Sequence, residues 1–215
     1  MKINLRHELP EDYRTVEELT REAFWNLYVP GCSEHYLLHR MRDAQAFIPE
    51  LDLVAEFDGK LIGNIVYCKA RIVGDDGVDH DVLTFGPVSV LPEFQKKGVG
   101  SALINETLNQ AKALGYKAVL IYGSPDYYQR FGFLPAEDFD IRTADDMVAA
   151  ALQALELIPG GLRGKSGRFI EGATFEFDTA EVEPFDNTFP AKQKLEGTPS
   201  QQAFLSIASQ RKPRT

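Results

Sequence analysis

The chain has 215 residues, of which 44% are hydrophobic, 11% aromatic and 26% charged, with a formal net charge of −9. That mix holds enough apolar mass to close one core of ordinary domain size, and it excludes a disordered or collagen-like chain. No apolar stretch approaches the roughly 20 residues that span a bilayer, so no membrane partner is expected; an acidic chain is also a poor match for nucleic acid, which draws on clustered Lys and Arg.

Residues 2–7 alternate, with Ile3 and Leu5 on one face, and predict a short strand. Pro10 stands at a first helical position, and Tyr13, Val16, Leu19 and Ala23 recur at helical spacing, so a helix is predicted over 10–24. The aromatic segment from Trp25 to Gly31 interrupts it, and Ser33 can cap a second helix that runs to about Arg42. From Leu51 the period changes to two. Asp58-Gly59 is a hairpin signal joining strands at 51–57 and 60–72, and Asp75-Asp76-Gly77 turns the chain into a third strand over 80–90.

A turn at Gln95 to Gly100 then opens an amphipathic helix with Leu103, Ile104, Leu108, Ala111 and Leu114 inward, ended by Gly115. The unbroken apolar run from Ala118 to Tyr122 reads as a strand buried on both faces and parallel to the strand before the helix. Past Phe133, a helix is predicted from Asp145 to Leu157, stopped by Pro159-Gly160-Gly161, and a strand from Phe169 to Phe177. Residues 178–215 are polar and proline-bearing, and predict a tail that wraps the domain or is partly ordered.

Chemistry concentrates at the turn over 95–100. Gly98 and Gly100 remove side chains where a helix begins, so unpaired first-turn amides can reach an anion. Lys96 and Lys97 stand at its mouth, and basic residues outnumber acidic ones over 93–131, against the sign of the whole chain. A dinucleotide fingerprint needs a third glycine where Leu103 stands. A P-loop ending in Gly164-Lys165-Ser166 needs a glycine where Pro159 stands.

The segment Val88-Ser89-Val90-Leu91-Pro92-Glu93-Phe94-Gln95-Lys96-Lys97-Gly98-Val99-Gly100 resembles the acyl-CoA-binding segment of the GNAT N-acetyltransferase superfamily, and Tyr127-Tyr128-Gln129-Arg130-Phe131-Gly132-Phe133 is similar to that family's tyrosine-containing short helix followed by Gly-Phe. The resemblance covers about residues 2–136. It implies an α/β fold with a mixed, splayed central sheet flanked by helices, here with a C-terminal elaboration from about 137, so that 1–177 is the acetyltransferase domain and 178–215 a tail. It further implies acetyl-CoA as acyl donor, with no metal. Val88 and Val90 would pair with pantetheine, and Gln95, Lys96 and the amides of Lys97, Gly98, Val99, Gly100 and Ser101 would hold the pyrophosphate. The Val90 amide would polarise the thioester, and Tyr128, with Tyr127 as the fallback, would contact the donor and protonate the CoA thiolate.

A general base is sought in Asp81, or His80 beside it, on the strand leading to Val88. Trp25, Tyr28 and His35 fall where this fold builds its acceptor pocket, although ordinary aromatic packing explains them as well. His35 and His39 are four apart on a helix, but the pattern is wrong for a zinc motif. Cys32 and Cys68 are too far apart for a CxxC motif and read as reduced thiols; with a polar first segment they predict a cytoplasmic protein. The resulting reading is an N-acetyltransferase acting on a primary amine, of a small molecule in preference to a protein. The alternative is a non-catalytic acyl-CoA sensor of the same fold. The apolar run at Phe204 to Ile207 serves either as an anchor for the tail or as a homodimer interface.

Overall fold

A computed structural model describes residues 1–214. In chain order the elements are β1 (Asn4–His7), α1 (Tyr13–Phe24), α2 (Glu34–Arg42), β2 (Leu53–Phe57), β3 (Lys60–Gly74), β4 (Asp79–Val90), α3 (Val99–Ala113), β5 (Ala118–Tyr122), α4 (Pro125–Tyr128), β6 (Leu134–Pro135), β7 (Ile141–Arg142), β8 (Met147–Ala149), β9 (Leu152–Glu156), β10 (Gly167–Ile170), α5 (Thr179–Asp186), α6 (Pro199–Ala208) and β11 (Arg211–Pro213). The central sheet has the order β1-β2-β3-β4-β5-β9-β6; β10 pairs with β3, β7 with β10, and β11 with β8 in a separate ribbon. Among the described residues no helix is long and apolar enough to cross a membrane.

Hairpins make β2, β3 and β4 antiparallel. Two pairs run in the same direction: the short β7 and β10, and β4 with β5, which the α3 crossover sets side by side because a parallel return needs a connection of that length. That pair, β4 and β5, meets at a single register position, Leu83 against Val119. Past it the strands diverge. A bulge helps to turn β4 away: Ile65 faces Val88 but Tyr67 faces Phe85, so Gly86-Pro87 puts one extra residue on β4, and such an insertion bends its strand.

Helices α1 and α2 bury Val16, Leu19, Leu38 and Met41 against the sheet, and α3 buries Leu103, Ile104 and Ala111. A second cluster, including Ala70, Ile72, Val82, Leu120, Ala154 and Phe169, lies where β10 and the segment after β6 cover one face beyond the helices.

The strand and helix predictions up to Tyr122 match the structure within a few residues, with one exception inside α3. Leu114 lies past the helix end and is 50% exposed. The helix predicted over Asp145 to Leu157 is absent; β8 and β9 stand there. Alanine-rich local propensity favours a helix, but β9 runs antiparallel along the free edge of β5 from Leu152 against Tyr122 to Glu156 against Ala118, and satisfying that edge overrides propensity. Asp146 at φ +64° breaks any helical path before β8. The predicted strand to Phe177 stops at Ile170, because Gly172 at φ +98° and a 3-10 turn at Ala173–Phe175 end it. The tail is built of two helices and a strand rather than irregular chain.

Candidate active site

The donor side of the site is made of backbone. Leu91 N donates to Ile62 O on β3, and alternation along an antiparallel strand then turns the N–H groups of Val88 and Val90 to the opposite, open edge. The Val90 carbonyl accepts from Gln95 Nε2 at 3.0 Å, which ties the turn to the strand end. Gly98 caps α3 at φ +88°, a conformation that an L side chain resists. Among the described residues, the amides from Lys96 to Ser101 donate to no protein acceptor; the first helical bond is Ala102 N to Gly98 O. No acidic residue lies in the first turn of α3. This end of α3 therefore presents a positive pole with unpaired donors at the mouth of the splayed strands.

Two tyrosines close the cleft from α4. The Tyr127 hydroxyl lies over Gly100, 3.2 Å from where a Cβ would stand there, close to the side chains of Val90 and Val88. The Tyr128 ring packs against Phe85 and Phe133, with centroids 5.8 Å and 5.6 Å away. It also lies so close over Gly123 that any larger residue there would collide with it. Burial, then the neighbouring hydroxyls of Tyr28, Tyr127 and Tyr67, push the Tyr128 phenol above its ordinary pKa. It keeps its proton at neutral pH.

On the acceptor side the structure separates the residues singled out by sequence. Tyr28 is 37% exposed, with its ring 4.8 Å from that of Phe204 on α6, and its hydroxyl is among those that push the Tyr128 phenol up. Trp25 instead holds the tail: its Nε1 donates to Gln193 O at 2.9 Å and its ring carries the Arg21 guanidinium at 4.2 Å. His35 is fully buried, with Nε2 3.1 Å from Asp186 of α5 and its ring against Phe185 and Phe189. Burial pushes its pKa down to about 4. It packs the tail onto the domain and does not line the cleft.

Asp81 is exposed and faces Arg71 near the outer end of β4. Nine residues separate it from Val90, about 30 Å of extended strand, and His80 beside it lies at the same remote end. Neither reaches the cleft. Burial pushes the Cys68 thiol up to about 12 and the Cys32 thiol above its ordinary range, so neither serves as a nucleophile. No group of three metal-ligating side chains occurs among the described residues.

Glu171 lies just past β10. It is half-buried, and burial pushes its carboxyl up to about 7. Its charge acts on the hydroxyl of Tyr122, at the end of β5.

A sheet splayed after one parallel register pair, with a bulged strand and an anion-binding helix start at the opening, defines an acyltransferase fold. The family model described as the acetyltransferase (GNAT) family matches residues 18–133, more than half of the chain, and the chain belongs to that family. It is 29% identical over 164 residues to the uncharacterized N-acetyltransferase YhbS of Escherichia coli K12, covering 76% of this chain and 92% of YhbS. It is 34% identical over 88 residues to YjhQ of the same strain, covering 40% of this chain and 48% of YjhQ, so it spans about half the length of that relative. Among solved structures, E. coli YhbS in complex with CoA superposes with a TM-score of 0.72 at 27% identity, covering 81% of this chain and 92% of the other. A GNAT family acetyltransferase from Brucella melitensis in complex with acetyl-CoA gives 0.65 at 29% identity, covering 81% and 99%.

Proposed function

We propose that this protein transfers an acetyl group from acetyl-CoA to the primary amine of a small, cationic molecule. The observation that carries the donor half is the run of unpaired amides from Lys96 to Ser101 beside the open edge of β4. Those amides, with Lys96 and Lys97 at the rim, suit a pyrophosphate, and Gln95 holds the loop in place. The amides of Val88 and Val90 suit pantetheine and the thioester carbonyl; Val90 polarises the carbonyl in this reading, with Val88, nearer the vertex of the splay, as its neighbour. Tyr128 supplies the proton that the leaving sulfur needs, and Tyr127, over Gly100, flanks the donor.

Support for a small acceptor comes from the tail. From α5 onward it runs along α1 and the Trp25 to Gly31 loop, sets Phe204 against Tyr28, and ends as β11 on β8. It thus spans from the α1–α2 loop to the elaboration past β5, over the side from which an acceptor would enter. In this reading residues 1–177 form the catalytic domain and 178–215 its strap, with Tyr28 at the acceptor site. An acidic chain further favours a cationic acceptor.

The test is release of CoA thiol from acetyl-CoA in the presence of small aliphatic amines and, separately, of a lysine-bearing peptide. Turnover confined to the small amines supports the proposal. Turnover with the peptide alone contradicts the acceptor half, and binding of acetyl-CoA without turnover on any amine returns the protein to the sensor class.

A further inference from the structure

Helix α1 crosses the sheet. Just before it, Asp12 accepts from Arg6 Nη2 of β1 at 3.0 Å, and near its other end the Thr20 hydroxyl lies 2.8 Å from that of Ser89 on β4. Strands β1 to β4 are neighbours in that order, about 14 Å across, and the turns from Asp12 to Thr20 cover about 12 Å. The last turn of α1 and the loop to Tyr28 therefore continue past β4, where β5 has diverged. They do so on the face away from α3, because Val88 and Val90 turn their side chains toward Gly100 at the start of α3 and Ser89, between them, turns the other way.

Helix α6 carries the crossing on from that loop. The Asn26 carbonyl accepts from Gln201 Nε2 at 3.3 Å and from the Thr198 hydroxyl at 3.4 Å, both at the N-terminal end of α6. Beyond its other end, the Gln210 carbonyl accepts from Ala150 N at 3.0 Å, and the next residue, Ala151, accepts through its carbonyl from Gly123 N, just past β5, at 2.8 Å. One end of α6 is thus tied to the loop that overhangs β4 and the other to the continuation of β5. Its 10 residues reach about 15 Å, and they bridge the diverging strands on the face opposite the proposed donor seat.

A helix docked on a domain ordinarily buries an apolar stripe. In α6 only Gln201 is buried. Phe204 is 39% exposed and leans on the ring of Tyr28, which is itself only partly covered. Charge is missing from both walls: neither residues 25–32 nor Pro199–Ala208 include an acidic or basic side chain, in a chain of net charge −9. The bridge and the loop therefore offer a half-covered aromatic pair and no carboxylate, a surface suited to carbon and not to a second ammonium.

We infer that Phe204 is a specificity-determining residue, and that the acceptor is a monoamine with a short apolar body in preference to a polyamine. The inference rests on the transferase reading above. The carbon chain of the amine lies against Phe204 and Tyr28, with its nitrogen toward the thioester below the bridge. A diamine of the same length brings a second ammonium to these two segments, where it sheds water and meets no counter-charge. The bridge also limits the length of the chain that fits.

The experiment follows CoA release from acetyl-CoA by the full chain with n-pentylamine and putrescine, which match in heavy atoms and differ in whether the far end is a methyl or an ammonium. The wild type should show a kcat/KM about 10-fold higher for n-pentylamine. Phe204→Ala should lose about 10-fold in kcat/KM for n-pentylamine, chiefly through the amine KM, with the KM for acetyl-CoA and the acetyl-CoA-induced shift in Tm unchanged. Phe204→Leu should recover most of the loss, and Leu205→Ala, at a side chain 63% exposed on the same helix, should stay within about two-fold of wild type. Equal or better use of putrescine by the wild type, a Phe204→Ala variant within about two-fold of wild type or without the acetyl-CoA shift, or an equal loss in Leu205→Ala overturns the assignment and leaves the transferase reading standing. A wild type that shifts with acetyl-CoA yet releases no CoA to either amine overturns both.

Discussion

The two sides of the cleft are assembled in opposite ways. The proposed donor side comes from one continuous stretch, Val88 to Ser101, in which unpaired backbone amides face the opening and glycines clear the path. The proposed acceptor side is gathered from the loop after α1 and from α6; the bonds from the tail to Trp25 and Asn26 join residues 167 to 175 positions apart. A backbone-built site tolerates side-chain change as long as turn geometry survives. A site assembled from distant side chains depends on every docking contact, so acceptor choice is open to change through the tail while the donor stays the same.

The sharpest way to break this division is to undock the tail. Arg21 is 2% exposed and makes bonds of 2.6 Å and 3.2 Å to Asp186. Asp186→Ala leaves that guanidinium buried and unpaired, which costs about 3 kcal/mol. Urea unfolding should show a loss of that order, while the surviving folded protein still gains stability from acetyl-CoA. Loss of donor binding in the same variant would mean that the two sides are not separable.

The tyrosine pair sharpens the boundary between them. Tyr128→Phe keeps the packing against Phe85 and Phe133 but removes the proton donor; CoA release should fall about 100-fold, with the acetyl-CoA shift in Tm retained. Tyr127→Phe should cost less. A reversed ranking in single-turnover assays would move the acid to the hydroxyl over Gly100.

A smaller effect concerns neither side and serves as a control on the scaffold. Glu8 is buried with Arg42 and Asp52; burial and the adjacent Asp52 carboxyl push its pKa up to about 9. Folded, it keeps its proton far above the pH at which the unfolded chain gives it up, so the folded state binds more protons and stability falls as pH rises from about 5 toward 9. Glu8→Gln should flatten that fall. His35 acts at the other end: with its pKa pushed down to about 4, stability is lost as pH falls from about 6.5 toward 4. Melting curves across pH for both proteins measure the two limbs.

Legibility in the sequence follows the same division. The β2–β3–β4 meander, α3 and β5 are set by local signals, Asp58-Gly59 in a hairpin and Gly98 at a helix start among them, so periodicity finds them. The segment from Asp145 to Glu156 misleads because its alanines favour helix locally while the free edge of β5 demands a strand. Trp25 and His35 mislead for a related reason: an aromatic loop is also an apt dock for a tail, and the tail takes up both residues.

The measurement that bears most directly on the account is thermal unfolding with acetyl-CoA, against ATP as the control, in wild type and in a variant with Gly98 and Gly100 both replaced by valine. At about 100 times its dissociation constant, a ligand stabilises the native state by roughly 2.7 kcal/mol, a shift of several degrees. The account predicts that shift for acetyl-CoA and not for ATP in the wild type, and its loss in the variant. An unchanged wild-type Tm with saturating acetyl-CoA, or an equal shift in the double valine variant, would contradict a donor site built from the amides at the start of α3.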